Sequence, residues 1–312
     1  MLNRLQEKKH EIQSFMKATS VEVTPGGAKS IKDFSAILKP EMTVYVTFLP
    51  GSDIKDTIDT VCRLKSEGYN PVPHFAARSI ESKQVFEKSL SEIKERTDVN
   101  EALLIGGGVD KPVGSFTASI EILRTGLFDK YGYKKIGVAG HPEGSPDISP
   151  DDCERAIREK NDFNQHTDAN LYLATQFLFE AKPLFQWEKM IRDKGNKLPI
   201  YVGIPGIATI QTLMRHAKHC GVGPSIRFLR KNRADVIRMS LRNTPFGKLI
   251  KAPSSNPSKL IFDIVSGVAA DKGCLIEKCH LYPLGGLKKS VDWLYKVQDG
   301  DFSISWGDFS VN

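Results

Sequence analysis

Short apolar or β-branched runs alternate along this chain with longer amphipathic ones. The short runs are Ser20–Val23, Thr43–Phe48, Pro71–Phe75, Ala102–Ile105, Lys135–Ala139, Leu171–Gln176, Ile200–Gly203 and Cys274–Tyr282. Their length and flanking turn residues predict buried parallel strands. Between most of them lie stretches at helical spacing, among them Asp53–Ser66, Ile80–Arg96, Ser115–Phe128 and Pro150–Phe163. Eight strand–helix units with no linker between halves predict a (β/α)8 TIM barrel, with residues 1–312 forming a single domain. A doubly wound open sheet is the alternative. The opening MLNRLQEKKHEIQSFMKATS is polar and reads as an extra amphipathic N-terminal helix, not a secretory signal. From Gly221 to Pro257 the rhythm breaks into basic, irregular sequence, including RFLRKNRADVIR and KAPSSNPSK. Extra helices and a loop are expected there, before the last strand.

Composition narrows the class. The 312 residues are 40% hydrophobic and 26% charged, which excludes a disordered chain. No apolar run reaches the roughly 18 residues of a membrane span, so no membrane association is expected. The five cysteines (62, 153, 220, 274, 279) include no CxxC pair, so the chain reads as cytoplasmic and without disulfides. Cys274, Cys279 and His280 suggest zinc, but buried apolar thiols explain them better, and no metal is expected. The net charge of +7 suits acidic partners, yet it reads as scattered, and no nucleic-acid-binding module is present.

Reacting groups in a barrel stand at the carboxyl ends of its strands. Those ends carry Glu22, Thr47, His74, the Gly106–Asp110 loop, the His141–Asp147 loop, Gln176, the Gly203–Gly206 loop and Tyr282. So polar and glycine-rich a rim argues for one site. Strand alternation sends Val21 and Val23 one way and Glu22 the other. A carboxyl inside a barrel is either used or paired, and burial raises its pKa as a general acid requires. A salt-bridged glutamate is the alternative. The loop LLIGGGVDKPVG offers three glycines, including Gly107 and Gly108, that let backbone approach a planar or phosphorylated ligand. Lys111 occupies the place of the last glycine of GxGxxG, which disfavours a Rossmann site. GGAKS at Gly26–Ser30 is half a P-loop, with Ala28 where glycine is needed, so nucleoside triphosphate binding is not expected. In VAGHPEGSPDISPDD, Ser149, Asp151 and Asp152 read as helix caps, while the prolines and glycines fix a loop able to wrap a ligand. Lys160 on the following helix either meets a phosphate or is solvated. The Gln176 amide in ATQFLFE suits a heterocycle edge, or else bonds neighbouring backbone.

In this order, the segments resemble the methylenetetrahydrofolate reductase family, from about Ser20 to about Leu287. SVEVTP is similar to its S-F-E-F-x-P, VTF to V-T-Y/F, and PHFAAR to its third-strand P-H. VAGHPEGSPD is similar to V-A-x-Y-P-E-x-H-P-E, ATQFLF to I-T-Q-x-F-F, VGIPGIATI to P-G-I-x-P-I and HLYPLGG to H-F-Y-T-L-N. The resemblance implies a barrel holding FAD that reduces 5,10-methylenetetrahydrofolate to 5-methyltetrahydrofolate, with NAD(P)H as the electron donor. Tetrahydrofolate derivatives are the implied partners, methionine biosynthesis the implied setting, and a homo-oligomer the expected assembly. Glu22 matches the general acid that protonates N10 of the folate, and Gln176 the pterin-contacting glutamine. Thr47, His74, Ala118, His141 and Glu143 match flavin contacts, Lys160 matches a lysine at the flavin phosphates, and Tyr282 falls at the substrate.

Departures from the pattern matter. The family's L-R-G-D is LIGGGVD here, so its arginine is missing and Asp110 is displaced by two residues. Asp110 is expected to serve as the second catalytic carboxylate, unless Gly107 and Gly108 close the site without it. The arginine that holds the folate's glutamate tail is replaced by Gly285 and Gly286, leaving Lys288, Lys289, Arg227, Arg230 and Lys231 as candidates. The chain ends soon after the barrel, so neither a C-terminal regulatory domain nor adenosylmethionine inhibition is expected. The alternatives are a relative working oxidatively in a demethylation pathway and a folate- or flavin-binding protein without catalysis of its own.

Overall fold

The computed structural model describes residues 2–145, 148–219 and 254–312. Eight parallel strands close a barrel: β1 (Ser20–Val23), β2 (Thr43–Val46), β3 (Asn70–Ala76), β4 (Glu101–Ile105), β5 (Lys135–Gly140), β6 (Asn170–Phe177), β7 (Ile200–Pro205) and β10 (Ile276–Tyr282). β10 closes the ring between β7 and β1. The (β/α)8 expectation therefore holds, with every predicted strand present and its ends shifted by a few residues at most.

The helices are α1 (Leu2–Met16), α2 (Pro25–Ser30), α3 (Ile54–Ser66), α4 (Lys83–Arg96), α5 (Ser119–Leu123), α6 (Leu127–Lys130), α7 (Pro150–Phe163), α8 (Ala181–Asp193), α9 (Ile210–His219), α10 (Ser258–Ala270) and α11 (Leu287–Asp299). Their starts follow local chemistry. Asp53, Ser82 and Ser149 accept hydrogen bonds from Lys55 N, Val85 N and Asp152 N, and Pro150 opens α7. The half P-loop proves to be α2, capped by Thr24 accepting from Gly27 N. The single helix expected over Ser115–Phe128 is instead two. Thr117 and Ala118 donate backbone N–H groups to Glu121, which starts α5, and Gly126 at φ +71° breaks the chain before α6.

Two short pairings were not anticipated. β8 (Ala208–Thr209) pairs antiparallel with β9 (Ser254–Ser255), which ties the residues after the 220–253 stretch to the chain just beyond β7. The basic insertion itself, with Arg227, Arg230 and Lys231, lies outside the described residues. β11 (Phe302–Ser305) and β12 (Asp308–Val311) form a hairpin turning at Trp306–Gly307, with Phe302 and Phe309 buried. Among the described residues, no helix is long and apolar enough to cross a membrane.

Alternation along the strands divides the core in two. Val21, Val23, Val44, Val46, Leu104, Val138, Leu173, Val202 and Leu281 face outward into the layer shared with the helices. Tyr45, Val72, Leu103, Tyr172 and Tyr201 fill the barrel's interior. Within it the Tyr45 and Tyr172 hydroxyls meet at 2.5 Å, and Tyr172 stacks on Tyr201 at 4.1 Å between ring centres. Cys279 is buried in the outer layer and His280 on the opposite face of β10, so strand geometry separates two members of the imagined zinc set.

Candidate functional site

Above the tyrosine layer, toward the carboxyl ends of the strands, the interior turns polar. Glu22 projects inward from β1, opposite in sense to Val21 and Val23, with its side chain 16% exposed. Its Oε2 lies 3.5 Å from Nε2 of His280 on β10, a ring only 5% exposed. Nδ1 of that ring lies 2.9 Å from the Ser20 hydroxyl. The parallel register sets this up, since Ser20 and His280 are paired directly across β1 and β10. The His280 ring also packs on Tyr45 at 4.4 Å and edge-on to Tyr282 at 4.8 Å.

His74 completes this layer from β3. Burial, partly countered by the Glu22 charge and reinforced by His280, pushes its pKa down to about 4, so the ring is neutral near pH 7. Its Nε2 is buried with no hydrogen-bond partner among the described residues, and so is the Thr47 hydroxyl at the end of β2. Buried polar atoms left unpaired cost stability and mark where a ligand's polar groups belong.

Gln176 owes its position to an irregularity. The β6–β7 register slips between Ala174 and Phe177, and a bulge re-aims the side chains at it. A Cβ on Gly203 would stand 2.7 Å from the Gln176 backbone, so only glycine there admits the bulge. Thr175 Oγ1 donates to the Gln176 carbonyl and accepts from Gly203 N, and the Tyr282 hydroxyl donates to the Thr175 carbonyl. Gln176 and Tyr282 thus share one hydrogen-bonded corner of the rim.

The glycine loop after β4 is fastened by Arg78, a residue quoted in PHFAAR but given no role in the sequence reading. Arg78 N donates to the Gly106 carbonyl, its Nη2 donates to the Asp110 carbonyl, and its own carbonyl accepts from Val113 N. Gly107 sits at φ +94°, and a Cβ there would stand 3.1 Å from that of Ala76. Asp110 is exposed on this loop, as is Gly108, so the expected second carboxylate stands outside the buried Glu22–His280 layer. Ala118 is half-buried at the N-cap of α5, and His141 and Glu143 are half-buried in the turn after β5, where Gly144 N donates to the His141 carbonyl.

Lys160 departs from the solvated reading. It is 4% exposed, and its Nζ donates to the carbonyl of Ala139 near the end of β5 at 3.0 Å. Burial pushes its pKa down to about 8. Gly285 packs so closely that a Cβ would lie 2.1 Å from the Ile207 carbonyl oxygen, whereas Gly286, in the place of the missing tail arginine, has open space around it but a φ of +115° that disfavours a side chain. Of the remaining tail candidates, Lys288 is exposed and ion-paired to Asp292 at 2.8 Å, and Lys289 is exposed beside it.

Buried unpaired acceptors and donors at Thr47 and His74, a glycine loop at close approach and a buried cation suit a large, flat, anionic cofactor such as FAD. Ser20 and His280 were missed as site residues because their pairing depends on register, which periodicity does not reveal. The signal available was the polar alternation Ser20/Glu22 on one strand and His280/Tyr282 on another.

Residues 28–231 match the profile of the family described as methylenetetrahydrofolate reductase, a span that omits β1 and β10. Over 104 residues the chain is 32% identical to methylenetetrahydrofolate reductase 1 of Schizosaccharomyces pombe, a stretch covering 33% of this chain and 16% of that protein. With the barrel, the inward glutamate and a profile match over more than half its length, the chain belongs to the methylenetetrahydrofolate reductase family.

Proposed function

We propose that this chain is a flavin-dependent oxidoreductase that interconverts 5,10-methylenetetrahydrofolate and 5-methyltetrahydrofolate, with FAD as cofactor and NAD(P)H as donor. The observation that carries the reading is Glu22, held inside the barrel mouth by His280 at 3.5 Å, beneath a rim carrying Gln176 and Tyr282. When bound, FAD supplies hydride transfer between the nicotinamide and the folate. The protein supplies the rest. Glu22 delivers a proton to N10 of the substrate, which opens the five-membered ring and leaves the exocyclic carbon ready for hydride. Gln176 accepts from Phe177 N at its Oε1, which leaves its amide N–H donors for the pterin edge, and the Thr175 and Tyr282 hydroxyls hold the backbone it stands on. Thr47, His74, Ala118, His141, Glu143 and the Gly107–Gly108 backbone would hold the flavin, and Lys160 would meet its phosphates. The four described cysteines are free thiols, which supports a reducing, cytoplasmic setting.

Purified protein is expected to be yellow and to release flavin on denaturation. Glu22→Gln is expected to lower methylenetetrahydrofolate reduction at least about a hundredfold more than it lowers NAD(P)H oxidation by a quinone acceptor. Equal loss of both half-reactions would remove Glu22 from the acid role. Ligand binding in a calorimeter with no turnover in either direction would favour the binding-protein alternative, for which the missing tail arginine and the altered glycine loop are the motive.

A further inference from the structure

Glu22 does not stand alone in its layer, and the groups around it differ in what they can exchange. Tyr45 faces the His280 ring from β2, but burial holds its phenol far above its ordinary pKa, and it is engaged with Tyr172. His74 faces from β3 and stays neutral down to about pH 4. Tyr282 faces from β10, with its hydroxyl donated to Thr175. The remaining pair in the layer is Glu22 and His280, 3.5 Å apart.

The Ser20 hydroxyl can donate or accept, whereas an ionised Glu22 can only accept, so the two together set which ring nitrogen carries the proton. When the hydroxyl donates to Nδ1 at 2.9 Å, the proton sits on Nε2, the nitrogen that faces Glu22 Oε2. A bare nitrogen facing a carboxylate would be repelled by it. From this geometry, and resting on the acid role given to Glu22 above, we propose that Ser20 and His280 are positioning residues for Glu22. Ser20 supports the tautomer by donating to Nδ1, and the His280 Nε2–H donates to one carboxyl oxygen, leaving the other to carry the proton toward the substrate. On delivery the O–H bond of Glu22 breaks, an N–H bond forms on the substrate amine, and His280 keeps its own proton throughout. The Nε2–H···O contact strengthens as Glu22 becomes anionic, so it favours the carboxylate that proton delivery produces. The 3.5 Å separation tightens in that state, as catalytic hydrogen bonds do once substrate is bound.

Two measurements test this. The first needs no turnover: nitrogen-15 spectra of histidine-labelled protein identify the tautomer of each of the seven histidines. The His280 signal is recognised by its loss in His280→Gln, or by its displacement in Ser20→Ala should His280→Gln fail to fold. The expected result is a neutral ring protonated at Nε2 in the wild type, and a mixed or Nδ1-protonated ring in Ser20→Ala. A wild-type ring protonated at Nδ1, or one unaffected by Ser20→Ala, overturns the proposal. The second is the steady-state kinetics of methylenetetrahydrofolate reduction. In Ser20→Ala and His280→Gln, kcat is expected to fall about tenfold to a hundredfold with KM little changed, the range set by losing one hydrogen bond to a charged group. An unchanged kcat with only KM raised overturns the positioning role. If the wild type reduces no folate at all, the proposed function fails by itself, and the spectra still decide the Ser20–His280–Glu22 arrangement.

Discussion

Lys160 is an ammonium group with 4% of its surface exposed and, among the described residues, one hydrogen bond, to the Ala139 carbonyl. Its pKa falls from 10.5 to about 8 because burial disfavours the charged form. The unfolded chain therefore holds its proton more tightly than the fold does. Between about pH 8 and 10.5 the unfolded state binds more protons, so stability rises with pH there, and below about 8 the full penalty applies. That shift corresponds to about 3 kcal/mol. In cofactor-free protein, Lys160→Met is expected to stabilise the fold by about 1–3 kcal/mol at pH 7, with the gain shrinking as pH approaches 10. Urea unfolding at the two pH values measures it, and a destabilised variant at pH 7 would show that the Ala139 hydrogen bond outweighs desolvation. The same substitution is expected to weaken binding of the cofactor phosphates. The sequence reading leaned to a solvated lysine because helical spacing shows which face a residue takes, not whether a strand end lies against it. Glu22 was legible because strand alternation alone sends it inward, opposite two valines.

At the scale of elements, most strands were readable because each is a short apolar run between turn residues. Their ends were less readable. The expected end of β7 was Gly203, yet the strand continues to Pro205, which pairs with Tyr282; proline is tolerated at a strand's last residue, where no further ladder donor is needed. The bulge in β6 is invisible to periodicity, since it is defined by the partner strand. Gly203 carries that defect, because its missing side chain is the space occupied by the Gln176 backbone. Gly203→Ala is therefore expected to cost about 2–4 kcal/mol, since the atoms it meets are backbone and cannot rotate away. Where the variant folds, straightening the bulge turns Gln176, so KM for methylenetetrahydrofolate is expected to rise more than KM for NAD(P)H. Thermal unfolding and steady-state kinetics read the two effects separately. A stable variant with an unchanged folate KM would show that Gln176 does not depend on the bulge.

Across the whole molecule, chemistry and stability are assigned to opposite ends of one barrel. The excess positive charge is not scattered as it first read. Residues 220–253 hold eight lysines and arginines against one aspartate, so their net charge equals the +7 of the entire chain, and the remainder is neutral. Ser254–Ser255, just after that stretch, pairs with Ala208–Thr209 beyond the carboxyl end of β7, the same end that carries Glu22, Gln176 and Lys160. The amino end is closed differently. Glu101 and Lys135, the first residues of β4 and β5, pair at 3.6 Å. The Lys135 ammonium lies over the rings of Tyr172 and Tyr201, and that of Lys278 over Tyr201. Burial lowers the pKa of Lys278, with Lys135 adding to the effect and Glu101 opposing it. Removing the carboxylate leaves two lysines facing one another over tyrosine rings, with Glu277 beside Lys278 as the remaining opposite charge. Glu101→Gln is thus expected to destabilise the fold by about 1–3 kcal/mol at pH 7, below the full value for a completely buried pair because Lys135 remains a third exposed. The loss is expected to shrink in high salt, which screens the lysines, and as pH rises into the alkaline range, because the lowered pKa of Lys278 lets it give up its proton before an ordinary lysine does. Folate and NAD(P)H kinetics should stay as in the wild type below the unfolding range, because the tyrosine layer separates Glu101 from Glu22. Urea unfolding at low and high salt, set beside kcat/KM for both substrates, decides the matter. An activity loss without a stability loss would mean that the amino end is coupled to the site above it.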